Sequence, residues 1–158
     1  MDTTMSVANL KQAETKALAA NRLLELYARF ALAAGFLSSV ADRFGLWGPP
    51  GSPRAAWGNW ANFVKYTAVL NFFVPHSLAP LLAVGATIAE SGLALLLLIG
   101  WRGREVAALA AGLLALFAVE MTVALGIKAP LDYSVFAASG AAAMLFVCAQ
   151  QRGYASPA

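Results

Sequence analysis

Charge is scarce in this chain: 12% of its 158 residues are Asp, Glu, Lys or Arg, against 60% hydrophobic. An average soluble domain is about 25% charged and about 45–50% apolar. That deficit excludes an ordinary water-soluble globule, because a single core at this length cannot hide so much apolar surface. The excess must face lipid, so the bilayer is the first partner the sequence implies. A net charge of +3 is too small to suggest nucleic-acid binding, and the length allows one compact domain. Cysteine and histidine are nearly absent, with one of each, Cys148 and His76. A lone thiol excludes thiol–disulfide exchange run by this chain alone, and the same count removes zinc and iron–sulfur sites. A lone imidazole removes a bis-histidine haem. Metal-binding Glu-x-x-His spacing, Gly-rich phosphate loops and a serine elbow are missing as well. No metal or redox cofactor is self-supplied.

What remains is apolar and helical. Four stretches approach the 20 or so residues needed to cross roughly 30 Å of hydrocarbon: residues 23–46, 78–101, 105–126 and 132–150. Alanine and leucine dominate them, and the alternation and hairpin signals of a barrel are absent. The expected fold is all-α, a four-transmembrane-helix bundle. Ser77 and Pro80 read as the cap and first turn of the second span. The Arg102-Gly103-Arg104 turn is so short that spans two and three must be antiparallel neighbours. Gly126 and Pro130 close the third span, and Asp132 is placed to cap the fourth. The small residues Ala138 to Ala143 read as a packing face.

Residues 1–21 hold no apolar core and do not read as a cleavable signal peptide. They are expected to be a polar segment, with Leu10 to Arg22 as an amphipathic surface helix. Residues 22–151 form the membrane domain, and 152–158 read as a disordered tail. Lys11, Lys16, Arg22, Arg102, Arg104 and Arg152 fall on one side of the membrane, and Arg43, Arg54, Lys65 and Lys128 on the other. The excess on the first side places both termini in the cytoplasm.

The long connection between the first two spans begins as turn material, Trp47 to Pro53, and becomes aromatic and amphipathic from Ala55 to Val74. On a helix, Asn59, Asn62, Lys65 and Tyr66 share one face, leaving Trp57, Trp60, Phe63 and Val64 for lipid or bundle. An amphipathic interfacial helix is expected there, either as an aromatic anchor at headgroup depth or as a lid over a pocket.

The sharpest signals are ionisable groups inside spans, where a charge near the bilayer centre costs at least ~2.5–3.5 kcal/mol. Glu90 lies about 18 Å into the second span, close to the midplane, and Glu120 about 9 Å from the outer end of the third. Arg43, Lys65, His76, Lys128 and Asp132 are expected on the outer side, so a polar pocket opening outward would pair the acids with Arg43, Lys65 or Lys128. A carboxylate buried without a partner takes up a proton and becomes a neutral donor. Glu90 is therefore either a hydrogen-bonding or proton-relay group, or a packing lock between helices. Arg29 either snorkels to the inner surface or pairs with Glu25. Asp42 is expected to be solvated, Cys148 to be a small apolar residue of the inner leaflet, and His76 to be a loop residue.

Three runs together resemble the DoxX-like family of membrane proteins. They are Arg29 to Gly35 continuing to Ala41-Asp42-Arg43-Phe44-Gly45; Thr87 to Glu90 followed by a leucine run ending in Gly100-Trp101-Arg102; and Ala129-Pro130-Leu131-Asp132-Tyr133-Ser134. Arg29, Gly35, Arg43 and Glu90 stand at the recurrent positions, with Arg43 where many relatives have Lys. The resemblance implies a four-helix protein of the bacterial cytoplasmic membrane, in some relatives a subunit of a quinone-linked oxidoreductase. The expectation is a non-catalytic or quinone-associated redox subunit with a protein partner or as a homo-oligomer. Its ligand would meet Glu90, Arg43, Lys65 and Glu120, with Trp57, Trp60, Tyr66, His76 and Asp132 nearby. The alternatives are a structural or assembly subunit without ligand, and transport of a small molecule or anion as an oligomer.

Overall fold

The computed structural model describes residues 3–155, and every regular element in that range is helical. Helix α1 runs from Thr3 to Arg43, α2 from Trp60 to Leu70, α3 from Ala79 to Ile99, α4 from Gly103 to Leu125, α5 from Lys128 to Asp132 and α6 from Val135 to Ala155. Three helical stretches are long and apolar enough to cross a membrane, within α1, at 76–99 and in α4, while α6 contributes a shorter apolar stretch, Val135–Gln150. This is a membrane protein by the length and composition of its helices.

Helix α1 is one unbroken element of 41 residues, about 60 Å long. The stretch Leu10 to Arg22, expected as an amphipathic helix, is helical and runs without a break into the apolar half of α1. No Pro or Gly interrupts Thr3 to Ala34, and the Ala, Leu, Lys and Gln that fill it are strong helix formers. Residues 9–24 are exposed throughout, so this half of α1 stands clear of the other helices. At the other terminus α6 carries the helix through Ala155, so residues 152–155 are helical where a disordered tail was expected, and 156–158 lie outside the described residues.

Helix α1 packs most extensively against α3, and α4 against α6. One end of the bundle is close-packed. Leu32, Ala33 and Phe36 of α1 meet Leu93, Ala94 and Leu97 of α3, Val106, Ala107 and Ala110 of α4, and Ala142 and Leu145 of α6. Alanine at the contact positions lets backbones approach closely, which is how helices associate where lipid removes the hydrophobic drive. The small run of α6 is only partly a packing face: Ala138, Ser139 and Ala142 turn inward, Ser139 donating to the Ala111 carbonyl at 2.9 Å, whereas Gly140, Ala141 and Ala143 are exposed.

Several boundaries differ from expectation for local reasons. A 3₁₀ turn, His76–Leu78, leads directly into α3, so Ser77 caps nothing and Pro80 alone marks the first turn. Asp132 ends the short α5 instead of capping α6, because Ser134 takes a left-handed conformation (φ 55°) that breaks the chain before Val135. Helix α2 is shorter than its amphipathic stretch, and it docks through Phe63, Thr67 and Leu70, an i, i+4, i+7 stripe. Asn59 caps its start by accepting from the Asn62 amide at 2.8 Å.

Arg29 neither reaches the surface alone nor stands free: Nε and Nη2 donate to the Leu97 carbonyl at 2.8 and 2.6 Å. A cation thus meets the open carbonyls at the C-terminus of α3, where the helix dipole favours it. Gly100 makes this possible, with φ 80° and a missing Cβ that would lie 2.3 Å from Arg29 Nη2. Gly100→Ala is expected to cost about 1–3 kcal/mol by forcing strain and displacing the guanidinium. Gly112→Ala, in open space within α4, should be neutral or stabilising. Thermal unfolding of both variants in detergent checks the contrast.

Candidate functional site

The opposite end of the bundle is built around one ion pair. Arg43, the last residue of α1, donates from Nη2 to Glu90 Oε1 of α3 at 2.6 Å, and the two side chains are 1% and 3% exposed. Nη2 also reaches Ser39 Oγ at 3.2 Å, one turn back on α1, and Nη1 donates to Thr87 Oγ1 at 2.6 Å, one turn back on α3. The Thr87 hydroxyl in turn donates a hydrogen bond to the Ala83 carbonyl at 2.7 Å. The helical spacings Ser39/Arg43 and Thr87/Glu90 put each polar pair on one face. The ring of Phe63, from α2, lies 3.8 Å from the guanidinium carbon and covers one of its faces, with Trp57 at 5.8 Å. Aromatic faces favour a cation so placed.

Asp42 is the third buried charged side chain, 4% exposed, and the expectation that it is solvated is corrected. Its Oδ2 accepts from the backbone amides of Ala56 and Trp57 at 3.0 and 2.8 Å. The loop between α1 and α2 folds back to supply these donors, and a carboxylate accepting backbone N–H groups can stay buried. The same loop is tied by Trp47 Nε1 donating to the Ser38 carbonyl at 3.0 Å, and by backbone so close at Gly58 that a Cβ would lie 2.4 Å from Pro50 N. Among the described residues, Asp42 Oδ1, Arg43 Nε and Glu90 Oε2 are buried without a hydrogen-bond partner.

Beside these groups is a cavity of about 900 Å³ bounded by α1, the loop, α2, α3, α4 and the start of α6. Phe36, Trp57, Phe63, Leu70 and Phe117 supply apolar wall, and Asp42, Arg43, Glu90, Glu120, Tyr66 and Tyr133 supply polar groups. Glu120 enters from α4, and no side chain among the described residues is bonded to its carboxylate. The Tyr66 hydroxyl is held above its ordinary pKa by burial, with Tyr133 and the Glu120 carboxylate adding to the effect. This volume is in the range that accommodates a cofactor-sized organic molecule.

Of the residues singled out in the sequence, Arg43, Glu90, Glu120 and Tyr66 are brought to this cavity. Four are not. Lys65 is exposed on α2, because docking through Phe63 and Thr67 turns it outward. Trp60 stacks on Phe44 at 6.1 Å and does not line the cavity, which Trp47 and Trp57 do. His76 is exposed in the turn before α3, and Asp132 is exposed and paired with Lys128. Sequence reasoning missed Asp42, Ser39, Thr87 and Phe63. For Ser39 and Thr87 the signal was present as helical spacing to an ionisable group, while Asp42 depends on a loop path that no local pattern encodes. Among the described residues no three His, Cys, Asp or Glu side chains gather as a metal site.

No family model, curated protein or solved structure matches the chain.

Breaking the buried pair leaves an uncompensated charge, so Glu90→Ala is expected to cost about 3–5 kcal/mol. Replacing both partners, Arg43→Leu with Glu90→Leu, should cost less than Glu90→Ala alone. A double-mutant cycle on detergent-solubilised protein measures this, and additive losses would show that the two groups act independently.

Proposed function

We propose that this chain is a DoxX-like, four-span protein of a bacterial cytoplasmic membrane, acting as an accessory subunit of a membrane redox system. Its cavity holds a quinone-like amphipathic ring. The observation that carries this reading is the buried Arg43–Glu90 pair in the wall of a cavity of about 900 Å³, with a polar atom on each partner still unmatched. Ionisable groups inside an apolar span are expensive, and those retained there commonly mark a binding or transfer path. Aromatic and aliphatic walls suit a ring and its tail, while Glu90 supplies a hydrogen bond or a proton and Arg43 polarises an oxygen. Trp57 and Tyr66 flank the ring. In this reading the chain binds and presents the ring to a partner subunit that carries out the redox chemistry.

Helix α6 serves as the fourth crossing. Its 21 residues extend about 32 Å, and it runs antiparallel beside α4, with Ser139 against Ala111 at one level and Arg104 over the Phe146 ring, 5.4 Å away, at another. Four crossings return the chain to its starting side, and the basic residues favour the cytoplasm for that side. The loop and α2 then lie at the outer interface.

The competing reading is a scaffold whose acids only lock helices, favoured by the near-complete burial of the pair. Mild extraction, followed by mass spectrometry of organic molecules retained by the purified protein, separates the two. A retained quinone-like compound is expected, with affinity reduced about 10–100-fold in Glu90→Gln and unchanged in Lys65→Ala, whose side chain is exposed. No retained compound, together with unchanged affinity for added quinone in Glu90→Gln, would leave the scaffold.

A further inference from the structure

The carboxylate that the ring site leaves unused is Glu120. Helical spacing puts Leu113, Phe117 and Glu120 on one face of α4, and all three line the cavity. Tyr66 of α2 lines it as well, and so does Tyr133, in the turn between α5 and α6. Burial holds the Tyr66 hydroxyl above its ordinary pKa, and Tyr133 and Glu120 each add to the effect, so both stand near it. The Tyr66 ring also meets that of Trp57, with centroids 5.4 Å apart. An aromatic wall therefore adjoins this acid.

The other acids around the cavity are accounted for. Arg43 and Glu90 pair at 2.6 Å, and Asp42 accepts from two backbone amides. Arg54 reaches the lining from the loop, is exposed, and forms no ion pair among the described residues. Glu120 has neither a hydrogen bond nor an ion pair among the described residues. It is half-buried, whereas Asp42 Oδ1 and Glu90 Oε2 are closed off. Tyr66, Tyr133 and Asn71 bring neutral donors to the same lining, and such groups can bond a carboxylate without balancing its charge. A carboxylate left so against apolar walls takes up either a proton or a cation.

The kind of cation follows from the walls. Among the described residues no three His, Cys, Asp or Glu side chains gather as a metal site, and one carboxylate among rings does not replace the water of a small, strongly hydrated ion. An organic onium ion spreads its charge over apolar substituents, gives up little hydration, and is attracted by aromatic faces. The cavity, about 900 Å³, has room for such a group. We propose that this wall binds an amphipathic organic cation, a quaternary onium group with aromatic or alkyl substituents, its charge against Glu120 and its substituents among Tyr66, Tyr133 and Phe117. The proposal goes beyond the ring reading, uses a different wall of the cavity, and stands or falls without it.

The test uses the full chain in detergent, with tetraphenylphosphonium and tetraphenylborate as probes. The two share one four-ring shape and carry opposite charge. Binding is read by equilibrium dialysis, with protein-free micelles to subtract partition into detergent. The phosphonium is expected to bind at least about tenfold tighter than the borate, because a close charge–charge contact at low dielectric favours one and opposes the other. Glu120→Gln keeps the shape of the side chain and removes its charge. It is expected to lose the preference and to keep its thermal unfolding, because no bonded partner is broken. Asp132→Asn, at an exposed acid away from the cavity lining, is expected to bind the phosphonium as the parent chain does. Borate bound as tightly as phosphonium, or more tightly, would overturn the proposal, and this comparison needs no substitution. A phosphonium affinity that Glu120→Gln leaves unchanged, or that Asp132→Asn lowers equally, would overturn it as well. So would the absence of phosphonium binding.

Discussion

A guanidinium and a carboxylate in contact between two apolar helices set the terms for half of this molecule. Neither Arg43 nor Glu90 would remain charged in a low-dielectric interior by itself, and each makes the other tolerable. For the contact to form, the last turn of α1 must face the middle of α3, which fixes the stagger of those helices. Thr87 and Ser39 flank the guanidinium and accept one hydrogen bond each from Nη1 and Nη2, and an aromatic ring covers its face. Helix α2 is thereby drawn onto the bundle through Phe63. An apolar replacement of the pair could satisfy packing equally well, so packing by itself does not call for two charges there.

The two ends of the bundle obey different physics. Near Leu97 and Val106 the helices close on Ala33, Ala94, Ala107, Ala110 and Ala142, all essentially without exposure, and dispersion over a dense contact holds them. Toward Glu90 and Glu120 the same helices separate, and the space between them is framed by hydrogen bonds and aromatic rings. Arg29 belongs to the first end: it closes the carbonyls of α3 and places a cation at the helix terminus, a capping role. Two arginines of one helix thus do unlike work because one meets a backbone carbonyl and the other a carboxylate.

Much of this was legible in the chain. Composition and run length identified helices made for lipid, and the expected spans lie within a few residues of α3 and α4. Glu90 and Arg43 stood out because charge in an apolar run is conspicuous, and the structure joins them. Periodicity failed where tertiary contact decides. The aromatic stretch after Pro53 offers two plausible helical faces, and the one bearing Phe63, Thr67 and Leu70 was chosen by what it packs on, which turned Lys65 outward. Asp42 looked like an edge residue because the amides that hold it arrive from 14 and 15 positions away. His76 and Asp132 are ionisable groups near the chain turns, and both are exposed and away from the cavity lining. Continuity of α1 was hidden by its change from polar to apolar composition, which alters solvent and not backbone preference.

Asp42 and Arg43 are consecutive, and on a helix consecutive side chains diverge by about 100°. One reaches sideways to hold the loop at Ala56 and Trp57, and the other reaches across to α3. A single peptide unit therefore anchors the cover of the cavity and its charged wall together. Disturbing the final turn of α1 would loosen the loop and the ion pair together, because one short stretch of backbone carries both attachments.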